Sequence, residues 1–173
     1  YGVGVDNIDL IAAREMGVTV VYAPGFCTEE VAEQTLTLLL AVARRPLLWD
    51  RKAREDTAAY TASWDNRIEL LKGIKPLKEI TLGIVGLGRI GSAVAERAKA
   101  LGMQVIASDP VIPADHFNEL DVTSVELDDL LASADVVSLH VPLNADTHSF
   151  FGEREFQLMQ PSAHFINTCR GEV

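Results

Sequence analysis

Three glycines at fixed spacing are the first residues in this sequence that could do chemistry. Gly86, Gly88 and Gly91 form the pattern G-x-G-x-x-G within the stretch GIVGLGRIGSAVAERAKALG. An apolar run precedes them and a helix-like run follows, which is the context in which this pattern binds the phosphates of a dinucleotide. The first glycine permits a tight turn, the second lets the backbone approach a pyrophosphate, and the third lets the helix lie against the strand. An ordinary strand-to-helix turn is the alternative interpretation.

A carboxylate about 20 residues beyond the glycines suits the same ligand. Asp109 follows the next apolar run, MQVIAS, within the sequence SDP. A carboxylate at this place accepts hydrogen bonds from both hydroxyls of an adenosine ribose and repels a 2′-phosphate. The sequence therefore predicts NAD rather than NADP, with the pyrophosphate held by the free N–H groups around Arg89 and Ile90 at the positive end of the helix. The alternative for Asp109 is a strand-end residue that caps the following turn.

The elements that would position these residues alternate between strand and helix from Ile80 onward. Such alternation predicts an α/β fold, a doubly wound parallel sheet with right-handed crossovers, as in Rossmann nucleotide-binding domains. The predicted strands are ITLGIVG, MQVIASD, DVVSLHVP and AHFINT, and the predicted helices are RIGSAVAERAKALG, VELDDLLASA and EREFQLMQP.

The first half of the chain combines a short mixed passage with a long helix. NIDLIAAREMG has helical spacing and ends at Gly17, and VTVVYAP is typical of a buried strand. TEEVAEQTLTLLLAVARRP predicts a helix with Thr28 as its N-cap, acidic residues in its first turns and arginines in its last. We expect this helix to continue through LLWDRKARED and to break up near Ser63.

Composition excludes several classes of protein. The 173 residues are 48% hydrophobic, enough for one domain and part of a second. A net charge of −10 argues against direct nucleic-acid binding. The longest apolar run is too short to span a membrane. Cys27 and Cys169 form no ligand-spaced cluster with the four histidines, so we expect a cytoplasmic protein with reduced thiols and no metal site.

Five stretches together resemble the D-isomer-specific 2-hydroxyacid dehydrogenase family, and most of all its branch with the C-terminal-binding protein corepressors. The resemblance implies that residues 1–27 are the C-terminal part of the N-terminal segment of a flavodoxin-like substrate domain. Residues 28–173 would then be a Rossmann NAD-binding domain, incomplete at its C-terminus, whose long first helix links the two domains. The stretches, in the family's order and spacing, are GVGVDNIDLIAA, PGFCTEEVAE, GIVGLGRIG with SDP, SLHVPLNADTH, and FINTCRG.

The same resemblance implies a role for individual residues. Backbone amides at Val3 and Gly4 would meet the substrate carboxylate, although many relatives have a hydroxyl residue in place of Val3. His140 is more compatible with packing than with catalysis. The cofactor would be contacted at its pyrophosphate by Arg89 and Ile90, at its ribose by Asp109, beside its adenosine by Val141, Pro142 and Thr147, and under its nicotinamide by Thr168, Cys169 and Arg170.

Arg170 is the implied catalytic residue, because in the family this arginine grips the carboxylate and the carbonyl oxygen of a 2-oxo acid. A guanidinium is planar and permanently charged, can hold two oxygens at once, and stabilises the negative charge that builds on the carbonyl oxygen. An exposed arginine after the last strand is the alternative. Relatives also use an acid/base histidine with a glutamate, both downstream of this arginine. His116, His140, His148 and His164 all precede it, so we expect the 173-residue chain by itself to be inactive.

These observations favour an NAD-dependent oxidoreductase that transfers a hydride between NAD(H) and a small D-2-hydroxy or 2-oxo acid, as a homodimer by analogy with the family. Pyruvate, glyoxylate, hydroxypyruvate and phosphorylated analogues all remain open as substrates. The alternative is an NAD(H)-sensing, corepressor-like binding protein with little turnover. A different Rossmann enzyme is less compatible, because no tyrosine is followed by lysine in the Tyr-x-x-x-Lys spacing of short-chain dehydrogenases.

Overall fold

Five strands form one parallel sheet in the computed structural model, which describes residues 3–55, 68 and 71–173. The strand order is β3-β2-β1-β4-β5, so the chain moves outward from β1 and then returns past it. This reversal opens a crevice between β1 and β4 at the carboxyl ends of the strands, where α/β folds bind ligands. The strands are β1 Thr81–Val85, β2 Gln104–Ser108, β3 Thr123–Ser124, β4 Val136–Leu139 and β5 His164–Asn167.

Helices cover both faces of the sheet, and the predicted doubly wound α/β fold is confirmed. A 3₁₀ turn, Leu77–Glu79, leads into β1. In the described part of the chain, the helices are α1 Leu10–Glu15, α2 Thr28–Arg44, α3 Pro46–Glu55, α4 Arg89–Ala100, α5 Ala114–Leu120, α6 Leu127–Ser133 and α7 Glu153–Leu158.

Each face of the sheet has its own apolar core, because successive side chains of a strand point to opposite faces. Leu82 and Ile84 of β1 lie in the core shared with α2, α4 and α5. Val85 of β1 and Val137 of β4 lie in the core shared with α6 and with residues next to α7. Strands buried on both faces explain the nearly continuous apolar runs of β1 and β4.

The predicted strand at VTVVYAP is wrong. Residues 18–24 pair with none of the described strands, and Val18, Val21 and Tyr22 are exposed. A β-strand is stable only where a neighbour completes its hydrogen bonds. Apolar composition alone therefore did not determine the conformation of this segment.

The long helix is also shorter than predicted. Thr28 is its first residue, and the cap position belongs to Cys27, which has left-handed backbone (φ 56°) and no side-chain cap bond. The helix ends at Arg44, the cap residue Arg45 is also left-handed (φ 54°), and α3 begins at Pro46. Proline disfavours a helical residue before it but suits the first position of a new helix. The predicted break near Ser63 lies outside the described residues.

Candidate functional site

Four loops meet at the carboxyl edge of the sheet, after β1, β2, β4 and β5. Backbone hydrogen bonds attach the first residues of two of these loops to the ends of neighbouring strands: the Gly86 N–H donates to the Ser108 carbonyl of β2 at 3.0 Å, and the His140 N–H donates to the Val85 carbonyl of β1 at 2.8 Å. The structure therefore places at one edge all the predicted cofactor residues, which the sequence distributes from Gly86 to Arg170.

The glycine loop has the geometry of a phosphate cradle. A Cβ at Gly86 (φ 94°) would lie 2.7 Å from the His140 carbonyl oxygen, and a Cβ at Gly91 would overlap the Gly86 carbonyl oxygen. By contrast, a Cβ at Gly88 would meet no atom of the described residues within 4 Å. The first and third glycines are thus required by the protein itself, whereas the second borders open space.

That open space lies at the start of α4. No side chain caps α4 at Gly88, and the first N–H groups of any α-helix have no partner within the helix. The N–H groups of Arg89 and Ile90 belong to this first turn. Free donors at the positive end of a 12-residue helix suit an anion such as a pyrophosphate, so the residues present fit the cofactor that the sequence predicts.

Asp109 contacts the glycine loop and the turn that follows β2. Its Oδ2 accepts the Leu87 N–H at 2.8 Å, and its Oδ1 accepts the N–H groups of Val111 and Ile112 at 2.9 and 3.2 Å. The turn-capping interpretation of Asp109 therefore describes a real contact. A carboxylate has about four lone-pair sites, so one remains, which serves one ribose hydroxyl and not both. The ribose contact itself stays a prediction.

Thr147 shapes the loop after β4. Its hydroxyl donates to the Pro142 carbonyl and accepts the Asn144 N–H at 2.9 Å. The Asn144 side chain in turn accepts the N–H groups of Asp146 and Thr147. Val141 packs against the core that includes α6. The sequence did not single out Asn144, although asparagine commonly closes turns in this way.

His140 is partly buried at the crevice. Its Nε2 lies 3.0 Å from the Ser138 hydroxyl, and its Nδ1 is buried without a hydrogen-bond partner in the described part of the chain. Burial lowers the pKa of His140 from 6.5 to about 4, so the imidazole is neutral at pH 7. A neutral, partly buried ring agrees with the packing role expected for it.

This burial predicts a pH dependence of stability. The folded-state pKa lies below the unfolded value, so the stabilisation is present above pH 6.5 and is lost as the pH falls towards 4. Between pH 8 and pH 5 the free energy of unfolding should fall by about 2 kcal/mol through this residue. Urea unfolding at both pH values would measure this loss of unfolding free energy. His140→Gln should reduce the loss, whereas the control His148→Gln, at an exposed site, should not. Equal falls in all three proteins would contradict the prediction.

The loop after β5 is held by its own side chains. The Asn167 amide group donates to the Arg170 carbonyl at 2.9 Å, and its oxygen accepts the Cys169 N–H at 2.8 Å. The Thr168 hydroxyl lies 3.1 Å from that of Thr35, a fully buried residue of α2. The Cys169 thiol donates to a backbone carbonyl of β4, and burial raises its pKa. The turn that carries Arg170 is therefore attached both to β4 and to α2.

Arg170 lies beside residues from the opposite end of the sequence. Its Nε and Nη2 donate to the two carboxylate oxygens of Asp6 at 3.3 Å each, and its Nη1 donates to the Cys169 carbonyl at 3.1 Å. A side chain at Gly4 would overlap Nη2, and Val3 next to it is exposed. Bonding to Asp6 raises the pKa of Arg170 and lowers that of Asp6. The structure thus brings the predicted substrate residues together and adds Asp6, which the sequence analysis missed.

Other predicted features have simpler outcomes. Cys27 and Cys169 are free thiols. Within residues 3–55, 68 and 71–173, no cluster of His, Cys, Asp or Glu could hold a metal ion. In the same ranges, no helix is both long and apolar enough to cross a membrane. His116 bonds to Ser92 of α4 at 2.8 Å and His164 begins β5, and none of the described contacts of Arg170 is with a histidine.

The fold and the glycine loop define a dinucleotide-binding α/β domain. The family described as D-isomer specific 2-hydroxyacid dehydrogenase, NAD binding domain, matches residues 36–173. The chain therefore belongs to the D-isomer-specific 2-hydroxyacid dehydrogenase family, and the predicted family and its NAD cofactor are confirmed. The predicted likeness to the corepressor branch is not confirmed.

Named relatives cover nearly all of this chain. It is 42% identical over 173 residues to the glyoxylate reductase of Korarchaeum cryptofilum and 40% identical over 172 residues to the D-3-phosphoglycerate dehydrogenase of Archaeoglobus fulgidus. These alignments cover 100% and 99% of the chain, but 51% of the reductase and 31% of the dehydrogenase. The chain thus spans about half, or less, of the length of these relatives.

A solved structure agrees with this assignment. D-lactate dehydrogenase from Aquifex aeolicus, complexed with NAD and lactic acid, superposes with a TM-score of 0.85 at 35% identity. The match covers 99% of this chain and 49% of that one. The shared fold confirms the Rossmann assignment made from the sequence.

Proposed function

We propose that the whole protein is an NAD-dependent oxidoreductase that transfers a hydride between NAD(H) and a small D-2-hydroxy or 2-oxo acid. The observation that carries the proposal is the guanidinium of Arg170 beside Gly4, at the carboxyl edge of a sheet that belongs to an NAD-binding family. A cation at this place suits an anionic substrate next to the cofactor. Relatives named for glyoxylate, 3-phosphoglycerate and lactate chemistry support the substrate class.

The cofactor would lie along the carboxyl edge. Open space at Gly88 and the N–H groups of Arg89 and Ile90 suit its pyrophosphate, and the remaining acceptor site of Asp109 suits its ribose. When bound, NADH supplies the hydride. The adenosine would lie beside Val141, Pro142 and Thr147, and the nicotinamide beside Thr168 and Cys169.

Arg170 would hold the substrate. Two oxygens of a 2-oxo acid, one from the carboxylate and one from the carbonyl, match the paired donors of a guanidinium. As the carbonyl is reduced, its oxygen gains negative charge, which a preplaced cation stabilises. The backbone N–H groups of Val3 and Gly4 are the further donors proposed for the carboxylate. The Gly4 backbone can lie beside the guanidinium because Gly4 has no side chain.

We also propose the domain division, with residues 1–27 in a substrate domain and residues 28–173 in the NAD-binding domain. Two observations support it. Residues of α2, such as Ala32 and Leu39, are fully buried in the core of the sheet. Ile11 and Val21, in the segment assigned to the substrate domain, are 74% and 84% exposed. Apolar side chains this exposed fit a segment that packs against other parts of a substrate domain and not against the NAD-binding domain. A homodimer and a cytoplasmic location are proposed from the family resemblance.

The function predicts turnover with NADH and a cofactor preference that depends on Asp109. The whole protein should oxidise NADH with glyoxylate, pyruvate or hydroxypyruvate, followed by absorbance. Asp109→Asn keeps one acceptor oxygen, for either the Leu87 N–H or the turn after β2, and removes the charge that repels a 2′-phosphate. We expect NADH to bind about 10- to 100-fold more weakly in this variant, from the loss of a charge-assisted hydrogen bond, whereas NADPH binding holds or improves. Fluorescence titration measures both affinities.

Asp115→Asn, at the start of α5, is the control and should leave both affinities unchanged. Tighter binding of NADPH than of NADH by the unmodified protein would contradict the role of Asp109. NADH binding without turnover of any 2-oxo acid would instead favour the NAD(H)-sensing alternative.

A further inference from the structure

The ion pair between Asp6 and Arg170 has no part in the function proposed above. Both oxygens of Asp6 accept from the guanidinium, Oδ2 from Nε and Oδ1 from Nη2, each at 3.3 Å. Both side chains are partly exposed, 35% for Asp6 and 45% for Arg170. Exposed pairs of this kind contribute about 0–1 kcal/mol to folding, so stability alone gives little reason for this contact.

The pair determines which donors of Arg170 are free. A guanidinium has five N–H groups in a rigid plane. Asp6 takes one on Nε and one on Nη2, and the Cys169 carbonyl takes one on Nη1. Two remain, one on each Nη. They form a single edge of the fork when the Cys169 carbonyl accepts the Nη1 hydrogen on the Cδ side. That edge is the kind of paired donor which binds two oxygens of a carboxylate or a 2-oxo acid.

The loop that carries Asp6 also carries the proposed amide donors. Gly4 lies so close to the pair that a Cβ there would overlap Nη2 and lie 2.6 Å from the Asp6 Oδ1. The Ile8 N–H closes the turn by donating to the Val5 carbonyl at 3.0 Å. The carboxylate, the Gly4 backbone and the guanidinium therefore form one packed group.

We propose that Asp6 is a positioning residue, which holds the Nε–Nη2 edge of Arg170 so that the Nη1–Nη2 edge faces the substrate beside the Val3–Gly4 amides. This inference rests on the proposed function. The competing interpretation is that Asp6 occupies the place of the substrate carboxylate and must leave before substrate binds. The packing of Gly4 against both groups favours positioning, since a displaced Asp6 would need the loop of the amide donors to move with it.

The test uses Asp6→Ala and Asp6→Asn in the whole protein, with two readouts. The first is kcat and KM for glyoxylate. The second is calorimetric binding of oxamate, a carboxylate with an adjacent amide carbonyl, to the protein saturated with NADH. We expect Asp6→Ala to lower both kcat/KM and oxamate affinity about 10- to 100-fold, because small misplacements of a catalytic group have effects of this size. Asp6→Asn, which keeps one acceptor oxygen, should lie between.

Asp9→Ala is the matched control. Asp9 caps α1 on the same segment and accepts the N–H groups of Ile11 and Ala12, and none of the hydrogen bonds described for Arg170 reaches it. This variant should keep kcat/KM and oxamate affinity within a few fold. NADH affinity and melting temperature should change little in Asp6→Ala, which separates positioning from a structural role.

Three results would overturn the inference: tighter oxamate binding or a lower KM in Asp6→Ala, equal losses in Asp6→Ala and Asp9→Ala, or no oxamate binding to the unmodified protein. If the unmodified protein binds oxamate but does not turn over, the proposed function fails. The dependence of oxamate affinity on Asp6 then still decides the inference by itself.

Discussion

Arg170→Lys in the whole protein is expected to lower kcat/KM for a 2-oxo acid about 100- to 1000-fold, the loss typical when one preplaced stabiliser of a developing oxyanion is removed. An ammonium keeps the charge but not the planar fork. In this structure the guanidinium reaches Asp6 and the Cys169 carbonyl while two further N–H groups remain. A lysine nitrogen has three donors on one atom and cannot donate to Asp6, to the Cys169 carbonyl and to the substrate at the same time.

Steady-state NADH absorbance with glyoxylate, pyruvate and hydroxypyruvate measures this effect. Arg154→Lys is the control, because Arg154 is exposed and pairs with Asp128 and Glu155. The activity of this variant should stay within a few fold of that of the unmodified protein. NADH affinity should be nearly unchanged in both variants. If Arg170→Lys turns over as well as the unmodified protein, the arginine is an exposed charge after β5 and the substrate site lies elsewhere.

Gly88→Val is expected to abolish NAD binding while the domain stays folded. In the part of the chain that the structure describes, a Cβ at Gly88 meets no atom within 4 Å. The Gly88 backbone (φ −72°, ψ −161°) is extended, which any residue adopts. The side chain would instead fill the space over the first turn of α4, where the pyrophosphate must approach the N–H groups. Stability in the absence of cofactor should therefore change little.

Thermal unfolding with and without NAD measures this loss. At a ligand concentration 100 times Kd, binding stabilises a protein by about 2.7 kcal/mol, which the variant should lose entirely. Gly152→Val is the matched control, because Gly152 precedes α7 in extended backbone and its Cβ would contact only Glu155, at 3.7 Å. A cofactor-induced shift that survives in Gly88→Val would show that the phosphate site lies elsewhere.

The sequence predicted those parts of the protein that depend on near neighbours in the chain. Segments with strand-like and helix-like patterns alternate along the chain, and this alternation predicted the doubly wound sheet. It was visible in the sequence because strands buried on both faces are nearly continuous apolar runs. The glycine pattern located the start of α4, since only glycine tolerates the positive φ of Gly86 and the close approach at Gly91. The predicted strand at residues 18–24 was wrong, because pairing depends on a neighbour that composition does not reveal.

The contacts that complete the candidate site required the tertiary structure. Asp6 and Arg170 are near opposite ends of the sequence, and no local pattern links them. Asp109 holds the Leu87 N–H as well as its own turn, because adjacent parallel strands bring their carboxyl ends together. The Thr35–Thr168 bond likewise depends on α2 packing near the end of β5. Spacing along the chain predicts which residue types are available, but contacts between distant residues form only when burial of the two cores fixes the strand order.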